Sequence, residues 1–128
     1  MMKGLNAMRF LFVGLGGACG AIMRYILSQI KTGCAFPLMT FITNILGALL
    51  IGFIIGISEK NKVNPDLLLF LKVGVCGGFT TFSTFSAESL KLFEDGKTMV
   101  GLAYILLSIT LCIIGVYIGK KLSSIVTG

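Results

Sequence analysis

The chain has 128 residues, of which 55% are hydrophobic and only 12% charged, and 11 Lys and Arg against 5 Asp and Glu give a net charge of +6. Soluble domains carry about a quarter charged residues, so this composition indicates a membrane protein and argues against a soluble domain. The basic excess fits helix ends near anionic headgroups and does not imply a nucleic-acid partner. The absence of histidine from the sequence excludes imidazole metal sites, serine–histidine hydrolases and histidine proton relays.

Four apolar stretches predict membrane-spanning helices, because about 20 residues cross a hydrocarbon core of roughly 30 Å. In chain order we expect helices over about 10–30, 37–57, 66–92 and 99–118, forming one subunit over 1–128. Pro37 and Asp66 favour the starts of helices two and three, and the Lys120-Lys121 pair marks the end of helix four. A subunit this small can hardly enclose a polar transport path with its own side chains. We therefore expect it to form an oligomer.

Small residues recur at four-residue spacing in three of these stretches. Such faces let helices approach closely in lipid, and packing is the role we expect for most of them. The spaced sets are Gly16 and Gly20, Gly17 and Ala21, Ala48 with Gly52 and Gly56, and Gly115 and Gly119.

The third stretch carries the strongest functional signal. Gly77-Gly78 is expected to interrupt the helix near its middle, and a dense run of hydroxyls follows. Its members are Thr80, Thr81, Ser83, Thr84 and Ser86. Interrupted backbone at membrane depth must be buried in protein or line water, where its polar groups can bind ions. A glycine kink tolerated by neighbouring helices is the alternative.

Within this run Phe82 and Phe85 are spaced i, i+3 and share one helix face. A ring edge carries positive partial charge and can meet an anion, although two phenylalanines taken alone more often form core packing. Asn44 in helix two offers two N–H donors, and the sequence leaves open whether they serve an anion or a helix-to-helix hydrogen bond.

Other polar residues extend this pattern. Thr40 lies one turn before Asn44, and Tyr104 and Ser108 lie one turn apart in helix four. Arg24 near the end of helix one either faces an aqueous vestibule or extends to the membrane interface. Extension to the interface also accounts for Lys72, and Glu88 is expected near the mouth opposite Arg24. By sequence, no fixed cation is expected beside the two phenylalanines.

Three segments in order and spacing resemble the Fluc or CrcB family of fluoride channels: GGACGAIMRY at 16–25, TFITNILGALLIGF at 40–53 and GVCGGFTTFSTFSAE at 74–88. The resemblance extends over essentially the whole chain, and GGFTTFSTFS is its most specific part. It implies an all-α membrane protein with a broken third helix, forming an antiparallel dual-topology homodimer with two fluoride pores. It also implies passive export of fluoride from the cell across the plasma membrane.

The resemblance assigns roles to particular residues. Phe82, Phe85 and Asn44 match the pore phenylalanines and asparagine, and Arg24 matches a vestibule arginine. The carbonyls of Gly77 and Thr80 match positions that hold a structural Na⁺ on the dimer axis. The remaining polar pore lining corresponds to Thr40, Ser83, Tyr104 and Ser108.

Two positions depart from the family pattern. Met39 stands where the family often has glycine, and Cys112 stands where it often has a further hydroxyl. The second change removes a hydroxyl from the outer polar lining, whereas neither change touches the phenylalanines or Asn44.

The main alternative is a small dual-topology proton-coupled exporter, which needs a carboxylate within the membrane. Helices one, two and four contain no acid, and Glu88 lies toward the end of helix three. A purely structural protein would not explain the hydroxyl run. No nucleophile and base pair can be named, so we do not expect an enzyme.

The basic residues bear on orientation. The side that holds the termini carries six, Lys3, Arg9, Lys60, Lys62, Lys120 and Lys121, and the other side carries three, Lys31, Lys91 and Lys97. This favours termini in the cytoplasm. A homodimer with subunits in both orientations is easiest with no such bias, so pairing with a related subunit of opposite bias stays open.

Overall fold

The structure, a computed structural model, describes residues 7–128, so Lys3 of the charge count lies outside the described residues. Throughout this range the regular structure is helical, and four helices are long and apolar enough to cross a membrane. Helix one is Ala7–Ser28, helix two Leu38–Lys60, helix three Pro65–Glu94 and helix four Thr98–Thr127. The predicted all-α membrane architecture is confirmed for the described part of the chain.

The start of helix three follows from its local sequence. The Asn64 side-chain oxygen accepts hydrogen bonds from the backbone N–H groups of Asp66 at 2.8 Å and Leu67 at 3.3 Å. Pro65 occupies the first helical position, where its missing N–H is not needed. Arg9 of helix one pairs with Asp66 at 3.1 Å, so the starts of helices one and three lie together.

Helix four is longer than predicted, because it continues past Lys120-Lys121 to Thr127. Lysine is a good helix former, and Lys120 Nζ pairs with Glu59 of helix two at 3.1 Å. Ser123 is fully buried and lies against Gly56. Thirty residues make a helix of about 45 Å, which exceeds the hydrocarbon thickness, so its ends reach the polar interface.

Glycines bring the helices into close contact in two pairs. Between helices two and four, a Cβ added at Gly52 or Gly119 would overlap backbone atoms of the facing helix. Between helix one and the first half of helix three, the same holds at Gly16 and Gly20. Backbones that approach this closely gain van der Waals contact that lipid tails cannot replace. The predicted packing role of these small residues is confirmed.

Helix three is not uniform along its length. Leu69–Cys76 is π-helical and Gly77–Phe79 forms one α-helical turn, after which Thr80 (φ −87°, ψ 156°) and Thr81 (φ −148°, ψ 121°) are extended. The second half, Phe82–Glu94, is again α-helical. We call Thr80 and Thr81 the extended dipeptide.

The prediction that the glycine pair itself leaves the helix is wrong. Gly78 is helical and lies against the backbone of Gly17 in helix one, so its missing side chain serves close approach. Threonine is branched at Cβ and adopts extended backbone readily, which explains why the non-helical residues are the two threonines that follow.

Candidate functional site

A cavity of about 460 Å³ lies beside the extended dipeptide, between helices two, three and four. Most of its surface is apolar, with a few polar groups facing in. It brings together several residues that the sequence singled out, namely Asn44, Gly77, Thr80, Phe82, Phe85 and Ser108. A largely apolar cavity with a few convergent polar groups is the usual form of a ligand site.

Asn44 is bound to the backbone of the extended dipeptide through both ends of its amide. Its Nδ2 donates to the Thr81 carbonyl at 3.1 Å, and its Oδ1 accepts from the Thr81 N–H at 2.9 Å. The extended conformation removes both Thr81 groups from the helical hydrogen-bond ladder, and Asn44 satisfies them. The helix-to-helix alternative for Asn44 is therefore present in the structure, and one amide N–H is left for another acceptor.

Thr81 also starts the second half of helix three. Its Oγ1 accepts from the Thr84 N–H at 3.1 Å and donates to the Thr84 hydroxyl at 3.1 Å. A threonine side chain that accepts from the third residue of a helix is a typical N-cap. Ser83 Oγ lies 3.4 Å from Thr81 Oγ1, so the hydroxyls here form one small cluster.

The two phenylalanines differ in environment. Their ring centroids are 5.5 Å apart, but Phe82 is 77% exposed in the isolated subunit whereas Phe85 is only 7% exposed. Phe85 packs against the ring of Tyr104 at 5.1 Å. Only Phe85 is thus fixed by packing within the subunit.

Thr40 and Tyr104 are held at Glu88 and do not line the cavity. The Thr40 hydroxyl donates to Glu88 Oε1 at 2.6 Å, and the Tyr104 hydroxyl donates to Oε2 at 3.3 Å. Sequence reasoning placed Glu88 at a mouth and missed this cluster, because its members come from three helices. Ser108, one turn beyond Tyr104, does line the cavity, and its buried hydroxyl has no hydrogen-bond partner within residues 7–128.

Two cationic side chains concern this region, one beside the extended dipeptide and one elsewhere on the cavity wall. Arg24 Nε donates to the Gly78 carbonyl at 3.1 Å, which holds helix one to helix three. Lys72 lines the same cavity as Phe82 and Phe85. Lys72 lies ten residues before Phe82 in the sequence, so sharing the cavity does not put a cation beside the phenylalanines, and the expectation that none lies there stays a prediction.

Two carbonyls at the extended dipeptide are left without donors. The Thr81 N–H, four residues after Gly77, is bound by Asn44, and the Thr84 N–H, four residues after Thr80, is bound by Thr81 Oγ1. Across the described range, neither the Gly77 nor the Thr80 carbonyl accepts a hydrogen bond. Free carbonyl oxygens of this kind are ligands for hard cations.

Thr81 and Lys72 are the residues that sequence reasoning undervalued. Thr81 carries a recognisable signal, because threonine is a favoured N-cap residue and Thr81 follows an expected break and precedes a further helical stretch. Lys72 carries none, because snorkelling to the interface explains a lysine in an apolar helix equally well.

Comparison with known proteins gives consistent matches. The family profile described as "CrcB-like protein, Camphor Resistance (CrcB)" matches residues 11–120. A relative from Shewanella halifaxensis is 39% identical over 88% of this chain and 93% of its own length. A relative from Rhizobium meliloti is 43% identical over 88% of this chain and 93% of its own length. A relative from Ruminiclostridium cellulolyticum is 45% identical over 87% of this chain and 88% of its own length. Each of the three is named a fluoride-specific ion channel FluC.

Proposed function

This chain belongs to the CrcB-like family, and from that premise we propose that it is a fluoride-selective channel through which fluoride leaves the cell down its gradient. The observation that carries the proposal is its identity of about 40% with named fluoride channels over nearly the full length of both chains. It is a multi-pass membrane protein, and we assign it to the plasma membrane. The named relatives are ion channels and not enzymes.

The chemistry of the cavity supports this function. Fluoride is small and strongly hydrated, so a selective path must replace its water with compact donors. The unpartnered Ser108 hydroxyl and the second N–H of Asn44 are neutral donors of this kind. Phe82 and Phe85 line the same cavity, and their positive ring edges can meet the ion. Neutral ligands let the ion leave, whereas a cation among them would hold it.

The remaining members of the proposed lining are Ser83, Thr40 and Tyr104. Ser83 extends the hydroxyl cluster at the start of the second half of helix three. The hydroxyls of Thr40 and Tyr104 donate to Glu88, so turning either hydroxyl toward an anion requires that this hydrogen bond be released. Arg24 keeps its proposed place at the vestibule, attached to the Gly78 carbonyl.

We further propose that two subunits pair in antiparallel orientation and that each pore takes residues from both. Phe82 is 77% exposed and Gly77 has open space beside it, which suits a face completed by a second chain. A twofold axis in the membrane plane would bring the two extended dipeptides together at mid-depth. Each irregular segment would then be covered by protein and not by lipid, as the proposed break of helix three requires. Pairing with a related subunit is the alternative. Labelling of single cysteines in a cysteine-free background distinguishes the two, because a homodimer with opposite orientations exposes each loop on both sides.

A sodium ion is proposed on the dimer axis, held by the carbonyls of Gly77 and Thr80. The residues fit it, because both carbonyls lack hydrogen-bond donors within the described chain and Na⁺ prefers oxygen ligands. When bound, it would neutralise these acceptors and join the two subunits. Elemental analysis of the purified dimer should find one Na⁺ per two chains, displaced poorly by Li⁺ or K⁺. A dimer that contains no Na⁺ and conducts normally would refute this site.

The test of the proposed function is ion efflux from liposomes containing the pure protein. With equal pH on both sides and valinomycin to carry K⁺, fluoride should leave rapidly and chloride should not, because chloride is too large for a narrow path of hydroxyls and ring edges. Chloride efflux comparable to fluoride efflux would refute the proposal.

The same preparation tests the proton-coupled exporter, which the half-buried Glu88 keeps as the second candidate. A channel carries net charge, so its fluoride efflux should stop without valinomycin and should move no protons. An exporter that trades protons through a carboxylate would change the pH in step with fluoride and would stop transporting in Glu88→Gln.

A further inference from the structure

Lys72 is the charged residue of the cavity, and no role has been assigned to it. It lies in the π-helical segment Leu69–Cys76 and is exposed. The other lining residues are apolar, hydroxyl, amide or thiol side chains and glycines. Among the described residues, the ammonium of Lys72 is therefore the sole formal charge on the cavity wall, and it is positive.

This ammonium is not neutralised within the described chain. The ion pairs there join Arg9 to Asp66, Lys91 to Asp95, and Lys120 to Glu59. Of the two other acids, Glu88 is occupied by hydroxyl donors, and Glu94 ends the opposite half of helix three. Arg24 is held at the Gly78 carbonyl through its Nε, whereas Lys72 makes no hydrogen bond to any residue from 7 to 128.

The distance between Lys72 and the phenylalanines decides whether one anion can contact both the ammonium and the rings. Ten residues separate Lys72 from Phe82 in the sequence, which is on the order of 15 Å at the α-helical rise per residue, and the extended dipeptide between them rises about 3.3 Å per residue. Helical side chains lean toward the N-terminus, so the ammonium lies toward the cavity end nearest Pro65. At this separation an anion cannot contact the ammonium and Phe82 together.

We propose that Lys72 gathers fluoride at the mouth of the cavity nearest the start of helix three, and so raises the rate at which the ion reaches the neutral site. This inference rests on the proposed channel function. A single charge in a low-dielectric cleft raises the local concentration of counter-ions, and its distance from the phenylalanines keeps it from trapping the ion there. The long, flexible lysine side chain suits transient contact better than a fixed ligand would.

The experiment measures initial fluoride efflux from liposomes of zwitterionic lipid at low and high ionic strength, set with an impermeant salt. Lys72→Gln removes the charge, and Lys72→Arg keeps it. Lys62→Gln is the matched control, because Lys62 lies in the exposed loop just before helix three and outside the cavity. Elution of each variant at the wild-type position in size-exclusion chromatography verifies folding.

At about 20 mM ionic strength, Lys72→Gln should slow efflux about two- to fourfold, as expected for a unit charge acting over about 10 Å. At about 0.5 M the difference should shrink below about 1.5-fold, because salt screens the field. Lys72→Arg and Lys62→Gln should match the wild type.

Either of two results would overturn the inference. In the first, Lys72→Gln releases fluoride at the wild-type rate at both ionic strengths. In the second, Lys62→Gln slows fluoride efflux as much as Lys72→Gln does, which would show a general effect of surface charge. Wild-type protein that passes no fluoride at all would instead refute the proposed function, and this inference with it.

Discussion

Replacing Asn44 tests whether the extended dipeptide must be held in place for conduction. Asn44→Ala removes both hydrogen bonds to Thr81, which are 3.1 and 2.9 Å long. A partly buried N–H or carbonyl left without a partner costs about 1–3 kcal/mol, so the two groups together should destabilise this conformation by about 2–6 kcal/mol. Since each 1.4 kcal/mol is tenfold in an equilibrium constant, the held conformation should lose at least about 30-fold in population.

Two measurements on the same protein check this expectation. Hydrogen–deuterium exchange at the Thr81 amide should accelerate by about 30-fold or more, because exchange follows local opening. Fluoride efflux should fall at least about tenfold. Asn44→Asp keeps the acceptor for the Thr81 N–H but sets a carboxylate oxygen against the Thr81 carbonyl, and its negative charge repels the anion, so its efflux should fall further.

Leu46→Ala is the matched control, because Leu46 is on the same helix, 46% exposed, and absent from the cavity wall. It should leave exchange at Thr81 and fluoride efflux unchanged. Asn44→Ala with exchange and efflux within twofold of the wild type would refute the reasoning. Loss of fluoride efflux with unchanged hydrogen exchange at Thr81 would show that Asn44 acts only as an ion ligand and that the extended dipeptide keeps its conformation without it.

Further predictions concern packing and the second tie to helix three. Phe85→Ile should destabilise the protein by about 1–2 kcal/mol in thermal unfolding, because its ring is buried within the subunit; an unchanged unfolding temperature would contradict this. Gly119→Ala should destabilise by about 1–3 kcal/mol, since its Cβ would overlap backbone of helix two, whereas Gly14→Ala, with open space around it, should not. Arg24→Gln should accelerate amide hydrogen exchange around Gly78, whose carbonyl Arg24 binds. Unchanged exchange would show that this hydrogen bond does not stabilise helix three there.

The spans were predictable from sequence because lipid requires long apolar segments, and the small-residue faces were predictable because they repeat at helical spacing. The cluster of Thr40, Tyr104 and Glu88 was not predictable. Its members come from different helices, and their meeting depends on how each helix is rotated and how deeply it lies. In a membrane an apolar surface faces lipid as well as protein, so hydrophobic periodicity fixes that rotation only weakly.

The candidate site shows the same division. Asn44 stood out because an unpaired amide is costly within a membrane, and Phe82 and Phe85 stood out because they lie within a dense run of hydroxyls; the cavity collects all three. The position of the extended backbone was misjudged by two to three residues, because glycine is the commonest helix breaker while Gly78 here serves contact with Gly17. Local preference and tertiary contact compete at such a position, and the sequence alone does not rank them.

The extended dipeptide also has an electrostatic consequence. Each half of helix three has its own dipole, so the negative end of the first half meets the positive end of the second within two residues. Carbonyls without donors lie on one side, at Gly77 and Thr80, and the first N–H groups of the second half lie on the other, at Phe82 and Ser83. One short segment thereby offers adjoining environments suited to a cation and to an anion. Because both are made by backbone dipoles, neither can be titrated away when the pH on either side of the membrane changes.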